Sequence, residues 1–468
     1  MGEVAFQRKL RTLGEVCRIM AGYGFPERLQ GQSSGDLPFF KVGDISEAWK
    51  RGDPLLSAAN HYISGEQANQ IRAKPLPANT TVFAKIGAAI ALNRRALLAQ
   101  PSLVDNNVMG LLPASPELDY KYLYYFVCTL KLNELSRATT VPSVRKSDIE
   151  QIAIPVPSIA EQHQIVAEIE KQFTRLDAGV AALRRVQANL KRYRAAVLKA
   201  ACEGRLVPTE AELAKAEGRS YETGEQLLAR ILADRRKNWH GRGKYKEPAA
   251  PDTADPPPLP EGWALASIDA LAKLENGDRS KNYPSRTAFV SEGIPFINAG
   301  HLVRGCVLLD EMNYISEERY GLLRAGKTVR GDILFCLRGS LGKVAVVGVD
   351  RAAIASSLVI VRPCQGVNTS YLQCYLSSWW TQQMIAKYDN GSAQPNLAAG
   401  DLARFAVPLP PFTEQVRIVA DVDRRLSVIE ELEGAVSANL QRATRLRRSI
   451  LQRAFTTQPR ESTQGRVQ

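Results

Sequence analysis

The chain has 468 residues, 45% hydrophobic and 23% charged, the make-up of an ordinary globular protein with room for roughly two to four domains. A formal charge of +13 and an isoelectric point near 9.4 favour an acidic partner, nucleic acid first among them. No apolar run approaches the roughly 20 residues of a membrane span, and the N-terminus, MGEVAFQRKLRTLGEV, has no apolar signal core. The seven cysteines (17, 128, 202, 306, 336, 364 and 374) are scattered and never spaced CxxC. A cytoplasmic protein is expected, with reduced thiols and neither disulfides nor a zinc site.

Residues 1–153 mix short apolar runs with Gly, Pro, Asn and Asp punctuation, as in LPFFKVGDI (37–45), TTVFAKIGAAIAL (80–92) and VMGLLP (108–113). These read as strands of a compact mixed domain, followed by a helical segment at 118–135. At 154–206 the stretch IPVPSIAEQHQIVAEI opens a long helix, with Ser158 and Glu161 as its capping box. Residues 207–262 hold a short helix (224–239) and then a Lys-, Gly- and Pro-rich run that reads as a semi-rigid, solvated linker. Residues 263–406 repeat the layout of the first domain: GIPFINAGHL (293–302), DILFCLRGSLGKVAVV (332–347) and a helical segment at 369–388. The stretch VPLPPFTEQVRIVADV then opens a second long helix over 407–456, with Thr413 as its cap, and 457–468 reads as a disordered tail.

The two helix-opening stretches are one repeat. Shifted by 253 positions, Pro155, Pro157, Glu161, Gln162, Ile165, Val166 and Ala167 fall on Pro408, Pro410, Glu414, Gln415, Ile418, Val419 and Ala420. A heptad follows in both. Its seam is Val166, Ile169, Phe173, Leu176, Val180, Leu183, Leu190 and Val197 in the first helix. In the second it is Val419, Val422, Leu426, Ile429, Val436, Leu440 and Ile450, with Arg194 and Arg447 at the same seam position. Residues 184–202 and 437–456 carry basic side chains and no acid, whereas the first halves lean acidic. Parallel packing would set basic against basic, so an antiparallel pair is expected. At 1.5 Å per residue a helix of about 42 residues makes a rod of roughly 63 Å. The expected fold is α+β: two similar mixed α/β domains joined by two long antiparallel coiled-coil helices with a pseudo-two-fold axis.

A search for chemistry finds no active site. The histidines (61, 163, 240 and 301) have no metal-ligand spacing, and no phosphate loop or GxGxxG fingerprint exists. DPPP (255–258) lacks the aromatic of the amino-methyltransferase motif it imitates. A basic rod with two unlike heads suits the reading of two unlike DNA segments at a set distance.

The order of parts resembles the specificity subunit of type I restriction–modification systems. The resemblance is carried by IPVPSIAEQHQIVAEIEKQF and VPLPPFTEQVRIVADVDRRL, by RYRAAVLKAACEGRLVP (192–208) and by LRRSILQRAFTTQP (446–459). It implies that residues 1–153 and 263–406 are target recognition domains 1 and 2, and that the helices are spacers that dock two modification subunits. It also implies a chain that reads double-stranded DNA and binds no cofactor itself. S-adenosylmethionine would then belong to the modification subunits, and ATP and Mg to partner subunits that include the restriction subunits. The alternative is a coiled-coil assembly protein without sequence-specific DNA reading.

Candidate DNA contacts in the first domain are Lys41, Lys85, Arg94, Arg95, Asn106, Asn107, Arg145 and Lys146. In the second they are Arg279, Lys281, Asn298, His301, Arg338, Lys343, Gln394 and Asn396. Arg and Lys suit phosphates and guanine edges, and Asn suits adenine. Off-seam apolar residues, among them Ile165, Ala182, Val186, Ala196, Ile418, Val428, Leu432 and Leu446, are candidate seats for partner helices, or for some of them contacts with the globular domains.

Overall fold

The computed structural model describes residues 9–135, 142–240, 243–253, 259–388 and 396–456. The chain divides into two compact units, residues 1–184 with 437–468, and residues 185–436. Each long helix therefore gives one half to each unit.

In the first unit, Lys9–Thr12 pairs antiparallel with Ala153–Val156, which brings the two ends of the mixed domain together. Between them lies a five-stranded sheet in the order Cys17–Ala21, Val108–Pro113, Thr81–Ala84, Arg95–Leu98, Leu55–Leu56, and a three-stranded sheet in the order Tyr62–Ile63, Leu37–Phe40, Leu103–Val104. The strands are near-continuous apolar runs because both faces of the larger sheet are covered. Helix Tyr120–Thr129 packs with Phe83 and Leu111 on one face, and helix Val42–Arg51 with Val82 and Ala96 on the other.

The second unit repeats the plan. Ala264–Ser267 pairs with Ala406–Leu409. The order Ala272–Asn276, Leu358–Pro363, Ile333–Cys336, Val344–Val346, Gly305–Val307 matches the larger sheet of the first unit strand for strand, and Leu302–Val303 extends it. The last matched pair is parallel in both units.

Several apolar runs were longer than the elements they form. The 37–45 run is a strand only over Leu37–Phe40, because Lys41 N–H donates to Asp44 Oδ2 (2.6 Å) and opens a helix. The 118–135 segment is helical over Tyr120–Thr129 and 3-10 over Leu132–Leu135. The 369–388 segment breaks into Thr369–Leu376 and Trp379–Tyr388. A helix not expected from sequence, Glu210–Glu217, is held by a reciprocal cap between Thr209 and Glu212. The linker is not simply solvated. Ala249 N–H donates to Asp269 Oδ2 (2.8 Å), Asp252 N–H to the Arg404 carbonyl (2.8 Å), and Tyr388 Oη to Asp252 Oδ2 (2.7 Å), so residues 249–252 lie against the second mixed domain.

The long helices are Ile159–Cys202 and Phe412–Phe455, 44 residues each. Thr413 lies inside the first turn and is not the cap; Gln415 N–H donates instead to the Pro411 carbonyl. The repeated glutamine explains the repeated motif. Gln162 is fully buried, donates through Nε2 to the carbonyls of Glu117 (2.7 Å) and Pro157 (2.9 Å), and accepts from Asp119 N–H (2.8 Å). Gln415 donates to the Pro410 carbonyl (3.0 Å) and accepts from Asn368 N–H (2.8 Å). Asp119 and Asn368 are the caps of the two equivalent domain helices. Each glutamine thus ties the Pro-x-Pro exit, the domain helix and the long helix together at one point. A tyrosine from each domain helix reinforces the joint: Tyr122 donates to the Pro155 carbonyl (2.8 Å) and Tyr371 to that of Pro408 (2.6 Å). The preceding glutamates diverge. Glu161 is half-buried, whereas Glu414 is buried and accepts from Glu210 N–H (2.8 Å) and Trp263 Nε1 (3.0 Å), and burial pushes its carboxyl up.

The helices pair antiparallel in both units. In the first, Arg447 reaches Asp177 (2.6 and 2.7 Å) and stacks 4.2 Å from the Phe173 ring centre. In the second, Arg194 reaches Glu430 (3.3 Å) and Glu433 (3.9 Å). Arg194 and Arg447 are repeat partners, and so are Asp177 and Glu430. Seam residues Val166, Ile169, Phe173, Leu190, Val197, Val422, Ile429 and Val436 are buried. Leu176, Val180, Leu183, Val419, Leu426, Leu440 and Ile450 are half-buried. Of the off-seam residues, Val186, Ala196, Val428, Leu432 and Leu446 are exposed and Ile165 and Ala182 half-buried. Ile418 takes the other alternative: it is fully buried against Trp263 and Tyr371 of the second domain and offers no seat to a partner.

Gln415→Ala is expected to destabilise the second unit by about 2–4 kcal/mol, since it leaves Asn368 N–H and the Pro410 carbonyl unpaired in a buried site. Thermal or urea melting of the full chain measures this, and an unchanged transition would refute the tethering role.

Candidate nucleic-acid interface

In the first recognition domain, backbone hydrogen bonds gather four segments at one end of the larger sheet. Lys85, at the end of Thr81–Ala84, donates its N–H to the Asn107 carbonyl (2.8 Å) and accepts from Val144 N–H (2.9 Å). Ile86 bridges to Ser143. The 105–108 turn closes through Val108 N–H to the Asp105 carbonyl (3.0 Å), and Asp105 N–H donates to the Phe40 carbonyl (3.0 Å) beside Lys41. Lys41, Lys85, Asn106, Asn107, Arg145 and Lys146 are thereby brought together. Lys85, Ile86, Arg145 and Lys146 line a cleft of about 330 Å³ with Met20 and Met109.

Within this group, Asn106, Arg145 and Lys146 are exposed, and Lys85 and Asn107 half-buried. Lys41 is half-buried, with Nζ donating to Gln30 Oε1 (2.5 Å). Arg94 is half-buried just before strand Arg95–Leu98. Arg95 is a correction. Its side chain is fully buried, donates through Nε to the Val127 carbonyl (3.2 Å) and through Nη2 to that of Leu130 (2.6 Å), and burial lowers its pKa. It closes the end of the domain helix by satisfying the Leu130 carbonyl and sharing that of Val127 with Leu130 N–H (3.2 Å), and it is out of reach of DNA.

The second domain builds the same frame. Leu337 N–H donates to the Ser357 carbonyl (2.8 Å), and the Leu337 carbonyl accepts from Leu397 N–H (3.0 Å). Arg338 bridges to Asn396, its Nε donating to Asn396 Oδ1 (3.1 Å). Lys343 Nζ donates to the Ala299 carbonyl (3.2 Å), which joins the 298–301 turn to this group. Arg338 and Lys343 are exposed and Asn298 is half-buried. Arg279 and Lys281 are exposed on the loop after Ala272–Asn276, a loop pinned by Asp278, which accepts from the N–H groups of Ser280 (2.6 Å) and Arg324 (2.7 Å). His301 is a second correction. Only 9% exposed, it accepts Asn298 N–H on Nδ1 (3.1 Å), and burial lowers its pKa. It does for Asn298 what Asp44 does for Lys41, and it is structural. Gln394 lies outside the described residues.

Sequence reading missed Ile86, which holds in the first domain the place that Arg338 holds in the second. The signal was present: KIG and LRG each end an apolar run, and Gly87 and Gly339 both adopt a left-handed φ (83° and 78°) that favours glycine. Among the described residues, no group of three His, Cys, Asp or Glu side chains could hold a metal ion, and no helix is long and apolar enough to cross a membrane.

The profile of the type I restriction modification DNA specificity domain matches this chain twice, over residues 8–181 and 260–441. The chain belongs to that family. Each specificity domain takes in one recognition fold and the first part of the long helix that follows it. Among relatives, the EcoBI specificity subunit of Escherichia coli is 23% identical over 455 residues, spanning 95% of this chain and 84% of the relative. The E. coli EcoDI and EcoKI specificity subunits are 25% and 24% identical, each over 69% of this chain and over 66% and 61% of their own lengths. A chain from a structure addressing complex assembly and conformational transition of the type I R-M system has the same fold, with a TM-score of 0.60 at 18% identity over 96% of this chain and 97% of that one.

The geometry separates structural from surface arginines. Arg95→Ala is expected to cost about 3 kcal/mol or more, by opening a buried site and orphaning the Leu130 carbonyl, whereas Arg145→Ala should change stability by no more than about 0.5 kcal/mol. Melting curves of the two variants check this, and equal midpoints would contradict the division.

Proposed function

We propose that this chain is the DNA sequence-recognition subunit of a type I restriction–modification complex, with no active site of its own. It reads a bipartite, asymmetric target in double-stranded DNA, one half-site for each specificity domain, and the helices set the gap. Two modification subunits carrying S-adenosylmethionine methylate adenine in that target. Restriction subunits carrying ATP and Mg act on unmodified DNA, and the complex works in the cytoplasm. The observation that carries the reading is the repeated frame: the same backbone hydrogen bonds in both domains display different side chains, Lys85, Ile86, Arg145 and Lys146 in one and Leu337, Arg338, Ala398 and Ala399 in the other. One frame with two side-chain sets suits a pair of unlike DNA sites. The net charge of +13 supplies the attraction to phosphate.

The test is a genome-wide map of methylated adenines in cells expressing the chain with its modification subunits, against cells lacking the chain. A two-part motif with a fixed gap is expected, and exchanging residues 263–406 for another recognition domain should alter one half alone. Assembly without any motif would instead favour a coiled-coil assembly role. Arg145→Ala and Lys146→Ala are expected to weaken binding to all duplexes alike and to reduce its salt dependence, as phosphate contacts do. Loss of preference at one base pair would instead make them base readers.

A further inference from the structure

The two specificity domains share one backbone frame, and one position in it carries opposite chemistry. Ile86 and Arg338 each follow a residue whose N–H donates to the turn before the longest strand (Lys85 to Asn107, Leu337 to Ser357, both 2.8 Å). Each forms the antiparallel bridge to the incoming segment, at Ser143 and Asn396. Each precedes a glycine with a left-handed φ. The positions are therefore equivalent, although sequence similarity between the domains is slight.

Arg338 is exposed and has no ion pair among the described residues, and its one side-chain hydrogen bond runs from Nε to Asn396 Oδ1 (3.1 Å). An acceptor on Nε fixes the plane of the guanidinium and leaves both terminal nitrogens to donate outward. The fork can also grip a phosphate, but a phosphate accepts donors from many directions, whereas a base edge presents its acceptors in one plane. A fixed fork of two donors matches a planar edge with two acceptors, and in duplex DNA that edge is guanine O6 and N7. Ile86, 37% exposed, has no donor at all, and its methyl groups suit an apolar contact such as the thymine methyl.

We propose that Arg338, oriented by Asn396, reads a guanine in the half-site of the second specificity domain, and that the matching position of the first domain makes no arginine–guanine contact. This rests on the DNA-reading role proposed above. Arg338 is the base reader and Asn396 a positioning residue.

The test uses the complex of the chain with its modification subunits, purified from the expressing cells, and a series of duplexes in which each base pair of the motif is replaced in turn. The wild-type complex should discriminate against replacement of one G·C pair by on the order of 10- to 100-fold. Arg338→Ala should flatten discrimination at that pair alone. Arg338→Lys should flatten it too while keeping the salt dependence, because the charge remains and the fork is gone. Asn396→Ala should lower discrimination partly at the same pair, a readout that a merely structural role would not move. Ile86→Ala should leave that pair untouched. If Arg338→Ala weakens all duplexes equally and reduces the salt slope by about one, Arg338 is a phosphate contact and the proposal falls. An unchanged profile overturns it as well. If the wild-type complex has no sequence preference, the DNA-reading role itself fails, which distinguishes the two failures.

Discussion

The repeated glutamine is the joint on which each unit depends. A long helix entering a mixed domain leaves open backbone groups at its own start, at the cap of the domain helix and at the proline-rich exit from the sheet. The carbonyls of Pro157 and Pro410 lie just beyond the last strand residue, so they need a donor from elsewhere. A primary amide supplies both donors and acceptor without charge, which is why Gln162 and Gln415 can be fully buried where a carboxylate would be costly. Glu414, one residue earlier, is tolerated inside the second unit because Trp263 Nε1 and Glu210 N–H converge on it. Its repeat partner Glu161 is half-buried.

The helix pair applies the same economy. Each long helix carries one arginine in a seam that is otherwise apolar except for Gln187 in the first helix and Glu433 in the second, and each arginine meets an acid from the first half of the opposite helix. Because the arginines are repeat partners and the acids are repeat partners, one sequence solution satisfies both contacts, and only antiparallel packing makes them. Arg447 gains further from stacking on Phe173. Exposed ion pairs are worth little individually, so burial of the seam supplies the stability and the arginines supply the register.

On this support, the recognition domains vary what they display and keep what holds it. The Lys85 and Leu337 loops are anchored by backbone groups, which are the same for any side chain, so the residues on either side are free to differ. That separation let sequence reading find surface residues such as Lys85, Arg145, Arg338 and Asn396. It also made reading fail at Arg95 and His301, which share their residue types with DNA contacts. Whether an arginine points at solvent or at the carbonyls of Val127 and Leu130 depends on a helix more than thirty residues away.

The sequence by itself determined the repeat, the two long helices, their seam and their antiparallel sense, because heptad spacing and charge segregation are local quantities that add along the chain. It also determined the α+β character of the domains and their family. The tertiary structure alone decided where the apolar runs break, as at Lys41 with Asp44, that Ile418 is buried against Trp263, and that residues 249–252 lie on the second domain. It also established, through the bridges to Ser143 and Asn396, the equivalence of Ile86 and Arg338 that the KIG and LRG stretches only signal. Those outcomes depend on which partner a polar group or an apolar face finds across long sequence separations, and neither periodicity nor composition records the partner.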